Sequence, residues 1–188
     1  MKSYIFITET GCDPQLGRPV KDPILRGTSS LGACRPDIRR RVVPGDHIFV
    51  VSGKVSGAQQ YVIGGLEVAE KMSAIEAFSR YPSHRLRRDD DGGIRGNIVC
   101  SVDGMQHSLD HHTDFHNRVE NYVIGRNAIE ILGDRAIAVA RLQTLEFLRF
   151  LLGKKGETPY SVMGRASRLD QTQTEEMVHW LSAIRQIR

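Results

Sequence analysis

Two stretches of the chain concentrate side chains that do chemistry. SLGACRPDIRR, Ser30 to Arg40, places a cysteine, a proline and three arginines together. HSLDHHTDFH, His107 to His116, carries four histidines and two aspartates in ten residues. In the first, Arg35 and Arg39 flank Cys34 and would favour its thiolate, the form that acts as a nucleophile. If PDIRR is helical with Pro36 at its first position, backbone N–H groups would face the same point. The alternative for Cys34 is a small buried apolar residue at a strand end. Arg39, Arg40 and Arg41 are consecutive, so no regular structure turns all three one way. One or two would contact an anion or a carboxylate such as Asp46, and the rest would be solvated. The planar guanidinium suits bidentate contact with phosphate.

The histidine-rich stretch admits three readings. Imidazole and carboxylate are ligands for zinc or iron, and His107/His111 and His112/His116 each stand four apart. There is no HExxH pattern and no cysteine pair at finger spacing, so no metal is expected to be required and no cofactor is expected. The imidazoles can instead donate to phosphate or act as general bases, or the stretch can be a plain polar loop. A third charged run, HRLRRDDDGG, reads as a solvated loop, or as a phosphate-contacting one through Arg85, Arg87 and Arg88.

These stretches need elements to position them. SYIFIT alternates aromatic and β-branched residues and reads as the first strand. Gly11 to Ser30 is a long loop, of the length that is usually functional or disordered. VVPGD is a turn, with Pro44, Gly45 and Asp46 supplying fixed φ, permissive φ and side-chain capping. HIFVVSG and YVIGGLEVAEKM read as a hairpin, and Gly64 and Gly65 predict a bulge or a close backbone approach. SAIEAFSRY is a short helix capped by Ser73 with Glu76 three residues on. NIVCSV, RVENYVIG and AIAVA read as further strands. QTLEFLRFLLG reads as a helix with a glycine stop. A last helix starting near Thr172 aligns Met177, Trp180, Leu181, Ile184 and Ile187 on one stripe, where Trp180 packs in the core.

At least six short strands without regular helix alternation predict an α+β fold: a small, mainly antiparallel barrel or curled sheet with helices outside. At 188 residues and 40% hydrophobic content, a single domain over 1–188 is expected. Its barrel core would cover about 1–140 and a C-terminal helical part about 141–188. The net charge of +4 permits a polyanionic partner without demanding one. No apolar run approaches the roughly 20 residues of a membrane span, and MKSYIFITETG is too short and too polar for a signal peptide. Three widely spaced cysteines make no disulfide framework. The expectation is a cytoplasmic protein that does not engage membranes.

LGACRPDIRRRVVPGDHIFVVSG resembles the signature of the nucleotide modification associated domain 2 family (Nmad2). Cys34, Arg35, Pro36, Ile38, Arg39, Gly45 and Asp46 fall on that signature, with His47 where the family usually carries an aromatic residue. GNIVCSVDGMQHSLDHH resembles a second segment of the family, and the layout of strands is similar to the PUA-like and EVE group of barrels, which bind modified bases. The resemblance covers about the first two-thirds of the chain. It implies a DNA-modification-associated protein of phage-defence systems, with DNA or a nucleotide and other subunits of a modification system as partners.

Combined with the residues above, the expectation is a pocket for a modified nucleobase between the Cys34–Arg39 and His107–His116 segments. Its catalytic candidates are Cys34, His107, Asp110, His111 and His112. Arg35, Arg39, Arg40, Arg85, Arg87 and Arg88 would contact nucleic acid, and Pro36, Gly45 and Asp46 would be structural. Two alternatives stand beside this: a cysteine-dependent enzyme transforming a modified base or nucleotide, and a non-catalytic subunit of a modification or phage-defence complex.

Overall fold

Hydrophobic pattern and turn chemistry divide the chain into eight strands and five α-helices among the described residues. The computed structural model describes residues 1–187. In chain order the elements are β1 (Ser3–Ile7), β2 (Ser30–Leu31), α1 (Pro36–Arg41), β3 (His47–Val51), β4 (Val62–Met72), α2 (Ala74–Arg80), β5 (Arg87–Arg88), β6 (Ile94–Arg95), β7 (Tyr122–Glu130), α3 (Asp134–Leu152), α4 (Pro159–Met163), β8 (Ala166–Leu169) and α5 (Gln171–Arg185). Six strands form a mixed sheet in the order β2-β7-β4-β3-β1-β8, and β5 pairs with β6. The fold is α+β, as the pattern predicts. The sheet is open, with β2 and β8 at its two ends, so the expected barrel is not closed. One reason is that β1 lies parallel to β3 and antiparallel to β8, which ends the sheet on a short strand contributed from far along the chain.

The chain divides into two compact units, each assembled from separate segments. One comprises 1–20, 46–67 and 127–188; the other comprises 21–45 and 68–126. The first holds the parallel pair β1/β3 with β8 and the three C-terminal helices. Its core contains Ile5, Phe6, Ile48, Val50, Leu148, Leu169, Met177 and Leu181. Asp46, almost fully buried, accepts the Lys2 amide at 2.6 Å, while the His47 amide donates to Ser3 Oγ at 3.0 Å. The turn at Gly45–Asp46 thus holds the starts of β1 and β3 side by side, and Gly45 supplies the positive φ of 92° that the turn requires.

AIAVA is not a strand. Ala136, Ile137, Ala140, Thr144, Leu148 and Leu151 are buried at helical spacing along α3, which ends at left-handed Gly153. Alternating Ala-Ile-Ala-Val-Ala satisfies both periods, and the apolar stripe continuing beyond it selects the helix. NIVCSV forms only isolated bridges at Ile98 and Cys100. The last helix is capped by Asp170, reciprocally with Gln173, just before the start that the sequence suggests. Trp180 is half-buried and stacks on Phe147 with ring centroids 4.5 Å apart.

The glycine pair in β4 marks both a bulge and a close approach. The β3/β4 register shifts between Val50 and Val51, and a Cβ on Gly64 would collide with the Ile129 carbonyl oxygen. That neighbour is backbone, which cannot rotate away. Gly64→Ala is therefore expected to lower the unfolding free energy by about 2 kcal/mol or more, read by urea denaturation. A change within about 0.5 kcal/mol would show that the two backbones separate freely.

Candidate functional site

All the candidate catalytic and basic residues fall in the second unit, 21–45 with 68–126. The Ser30–Arg40 segment is organised by a residue the sequence reading passed over. Asp22 is 4% exposed. Its Oδ1 accepts the Gly32 amide at 2.9 Å, and its Oδ2 accepts those of Ala33 at 2.8 Å and Cys34 at 2.5 Å. Asn97 Nδ2 adds a fourth bond at 2.7 Å and also donates to Ser30 Oγ at 2.9 Å. The Tyr122 hydroxyl donates to Asn97 Oδ1 at 2.6 Å and lies 2.9 Å from His84 Nδ1. Burial pushes the Tyr122 hydroxyl up and the His84 imidazole down from their ordinary values, so both are neutral at pH 7. Gly32 permits this closeness, because a Cβ there would strike Tyr122 and the Asn97 backbone. Three consecutive N–H groups do converge on an anion, and that anion is the protein's own carboxylate.

The thiol is not activated. Burial, then the Asp22 charge, push the Cys34 thiol up, and Asp22 also hydrogen-bonds it. Arg118 and Arg39 act the other way and are outweighed. No histidine hydrogen-bonds Cys34 among the described residues. The expected thiolate is thereby corrected: Arg35 turns to Asp37, with bonds of 3.0 and 2.7 Å, and a neighbouring carboxylate opposes ionisation.

Arg39 is corrected too. It is fully buried, on an α1 that does have Pro36 in its first turn. Nε donates to Cys34 O at 3.1 Å, one terminal nitrogen to Glu120 O at 2.7 Å and Asn121 O at 3.1 Å, and the other to Arg118 O at 3.2 Å. Burial lowers its pKa to about 10, which still leaves it charged. It has no surface to offer a phosphate. Arg40 is exposed. Arg85 lies over the Phe78 ring at 4.1 Å and donates to Phe78 O. Arg87 and Arg88 are exposed on the β5/β6 hairpin; Arg87 donates to the Ser83 carbonyl and lies 4.0 Å from Asp89 Oδ1, and Arg88 donates to the Gly92 carbonyl. Each has further N–H groups for an external anion.

In the histidine-rich stretch one couple is built. Asp110 Oδ1 lies 2.5 Å from His112 Nδ1, with side chains 3% and 40% exposed. Gln106 Nε2 donates to Asp110 Oδ2 at 2.8 Å and to the His112 carbonyl at 2.8 Å, clamping both. A carboxylate at Nδ1 orients the ring and leaves Nε2 for a ligand, the arrangement of a general base or a hydrogen-bonding reader. His107 is half-buried and accepts the Leu109 amide, while His111 is exposed. Among the described residues no three His, Cys, Asp or Glu side chains gather to hold a metal ion.

The two stretches are joined, though not by a thiol–imidazole contact. Arg118 donates to the Ala33 carbonyl and pairs with Asp114 through Nε at 2.7 Å, and Arg39 reaches the 118–121 carbonyls from the other side. Asp22, Asn97, Gln106 and Arg118 were missed by sequence reasoning. A lone buried acid in KDPI and an amide in GNI carry no spacing signal. No known protein-family model matches this chain, and no curated protein matches it. No helix among the described residues is long and apolar enough to cross a membrane.

Two outcomes are expected. Above the thiol's ordinary value of 9.0 the unfolded chain releases the Cys34 proton and the folded chain keeps it. Stability from this site is therefore complete below that pH and falls above it, by at most about 1.4 kcal/mol per pH unit. Cys34→Ala should flatten the alkaline slope of denaturation free energy against pH; coincident slopes would contradict a thiol held protonated. Arg39→Met deprives the Cys34, Arg118, Glu120 and Asn121 carbonyls of this donor. It should cost about 3 kcal/mol in urea denaturation, and a cost under about 1 kcal/mol would show that Arg39 is not the clamp.

Proposed function

We propose that this protein is a DNA-modification-associated module that engages nucleic acid through its second unit. Arg87 and Arg88 would hold phosphate there, and the Asp110–His112 couple would address the base. The observation that carries the reading is that couple: a buried carboxylate and an amide clamp orient a half-exposed imidazole whose second nitrogen is left for a ligand. Such an imidazole accepts from an exocyclic amine or exchanges a proton with a reacting group. The resemblance of Cys34–Asp46 to the Nmad2 signature supplies the substrate class. In this reading the Cys34 segment is a scaffold, and acid–base chemistry at His112 takes the place of thiol chemistry.

The test is binding to modified and unmodified oligonucleotides across salt concentrations, with product analysis by mass spectrometry. Arg87→Ala with Arg88→Ala should weaken binding to all sequences and flatten the slope of log affinity against log salt by about 0.9 per lost phosphate contact on duplex DNA. His112→Ala should leave that slope unchanged and reduce discrimination between modified and unmodified bases. A product seen with wild type and lost with His112→Ala makes the protein an enzyme. Absence of binding to any oligonucleotide or nucleotide at low salt would end this reading.

A further inference from the structure

The first unit contains a cleft of about 930 Å³ that the nucleic-acid reading does not use. Its position follows from topology. β1 and β3 are parallel neighbours, so their carboxyl ends open on the same edge of the sheet, the place where ligands bind in sheets with parallel strands. The loop 54–60 that follows β3, side chains of α3 and the segment 157–160 line it. The volume lies in the range of small-molecule sites.

Both charged segments of the lining are held in shape. On the side of Lys54, the Gly53 amide donates to Cys12 O at 2.8 Å and the Gly11 amide to Lys54 O at 3.0 Å. A Cβ at Gly53 would collide with the Glu9 carbonyl oxygen, so only glycine lets the two backbones lie against each other. On the side of Glu157, Arg149 Nε donates to the Gly156 carbonyl at 2.6 Å. The Ser161 amide donates to Thr158 Oγ1 at 3.1 Å, closing the turn that follows. Glu157 thus stands between two anchored residues.

The charges that are not engaged within the protein decide what fits. Arg141 is paired with Asp13, Glu146 with Arg149, and Arg165 has an interaction of its own. Lys54 and Glu157 are both exposed, and neither side chain makes a hydrogen bond or ion pair among the described residues. The cleft therefore offers one open ammonium and one open carboxylate. A simple anion would meet Lys54 and face a like charge at Glu157, and a simple cation the reverse. A ligand carrying both signs meets both. Two large apolar side chains stand open in the same cleft, Tyr160 at 61% and Leu142 at 72% exposure. They offer a surface that an apolar or aromatic side chain can cover.

We propose that this cleft binds a small zwitterion with an apolar side chain: its carboxylate on Lys54, its ammonium on Glu157, its side chain against Tyr160 and Leu142. A free amino acid and a short peptide share this chemistry, and the test separates them. Titrate the full chain with phenylalanine, glycyl-phenylalanine and glycyl-glycine, and with the N-acetyl and C-amide forms of the first two, by calorimetry and amide chemical-shift mapping. A ligand with the aromatic side chain should bind, shift the amides of residues 54–60 and 157–160, and exceed glycyl-glycine in affinity. Acetylation and amidation should each weaken it by up to about fivefold, the range of exposed ion pairs. Lys54→Ala should abolish the penalty for amidation and keep that for acetylation; Glu157→Gln should do the opposite. Both residues are exposed, so the variants are expected to fold. Tighter dipeptide than phenylalanine assigns a peptide; the reverse assigns a free amino acid.

Absence of binding by every aromatic zwitterion at roughly 10 mM would overturn the proposal. So would capping penalties that neither variant changes, because the two charges would then be met elsewhere. Lys54→Ala should leave oligonucleotide affinity unchanged, and Arg87→Ala with Arg88→Ala should leave zwitterion affinity unchanged, so this site and the nucleic-acid reading can each fail alone.

Discussion

One buried carboxylate holds the candidate site together. Asp22 collects three consecutive backbone N–H groups and an asparagine amide in a space that Gly32 keeps open. A carboxylate taken out of water without partners would be costly. With four donors it becomes a fixed negative centre around which the Ser29–Arg39 segment must fold. The same bonds explain why the cysteine beside it stays a thiol. Its nearest anion is part of the scaffold, Arg35 turns to Asp37, and the opposing pull of Arg118 and Arg39 is outweighed.

Arg39 is the counterpart of Asp22. A buried guanidinium is tolerated when its donors are occupied, and here four carbonyls from two remote parts of the unit occupy them. Asp22 gathers amides while Arg39 gathers carbonyls. Between them they satisfy polar backbone that loops of this length would otherwise leave unpaired. In the proposed reading this is a division of labour: the Cys34 segment is the scaffold, and the groups offered to a ligand are His112, held by Asp110 and Gln106, and the exposed arginines of the β5/β6 hairpin.

The other unit shows a related logic. Its parallel strand pair brings two loops together at one edge, and Gly53 removes the Cβ that would keep them apart. The result is a cleft walled by backbone on one side and by a helix on the other. Close approach of main chain, made possible by glycine, thus shapes both the buried Asp22 centre and the open cleft.

Much of the local structure was legible in the sequence. Period-2 alternation located β1, β3 and β4; Ser73 announced α2; Pro36 opened α1; the glycine pair in β4 foretold a bulge and a close approach. These are effects of neighbouring residues, and the sequence by itself determines them. The histidine-rich stretch was recognisable by composition, because polar groups that can share a proton stood together. What only the tertiary structure decided is which partner each group meets. Ala136–Ala140 fits either period until the rest of α3 is packed. Arg39 reads as a surface cation until carbonyls about 80 positions away surround it. Cys34 reads as activated until Asp22, twelve positions upstream, sets the local field. Burial and long-range hydrogen bonding change the charge state and reach of a side chain by amounts that no adjacent residue encodes. Pairings between distant segments are created only when the chain closes on itself.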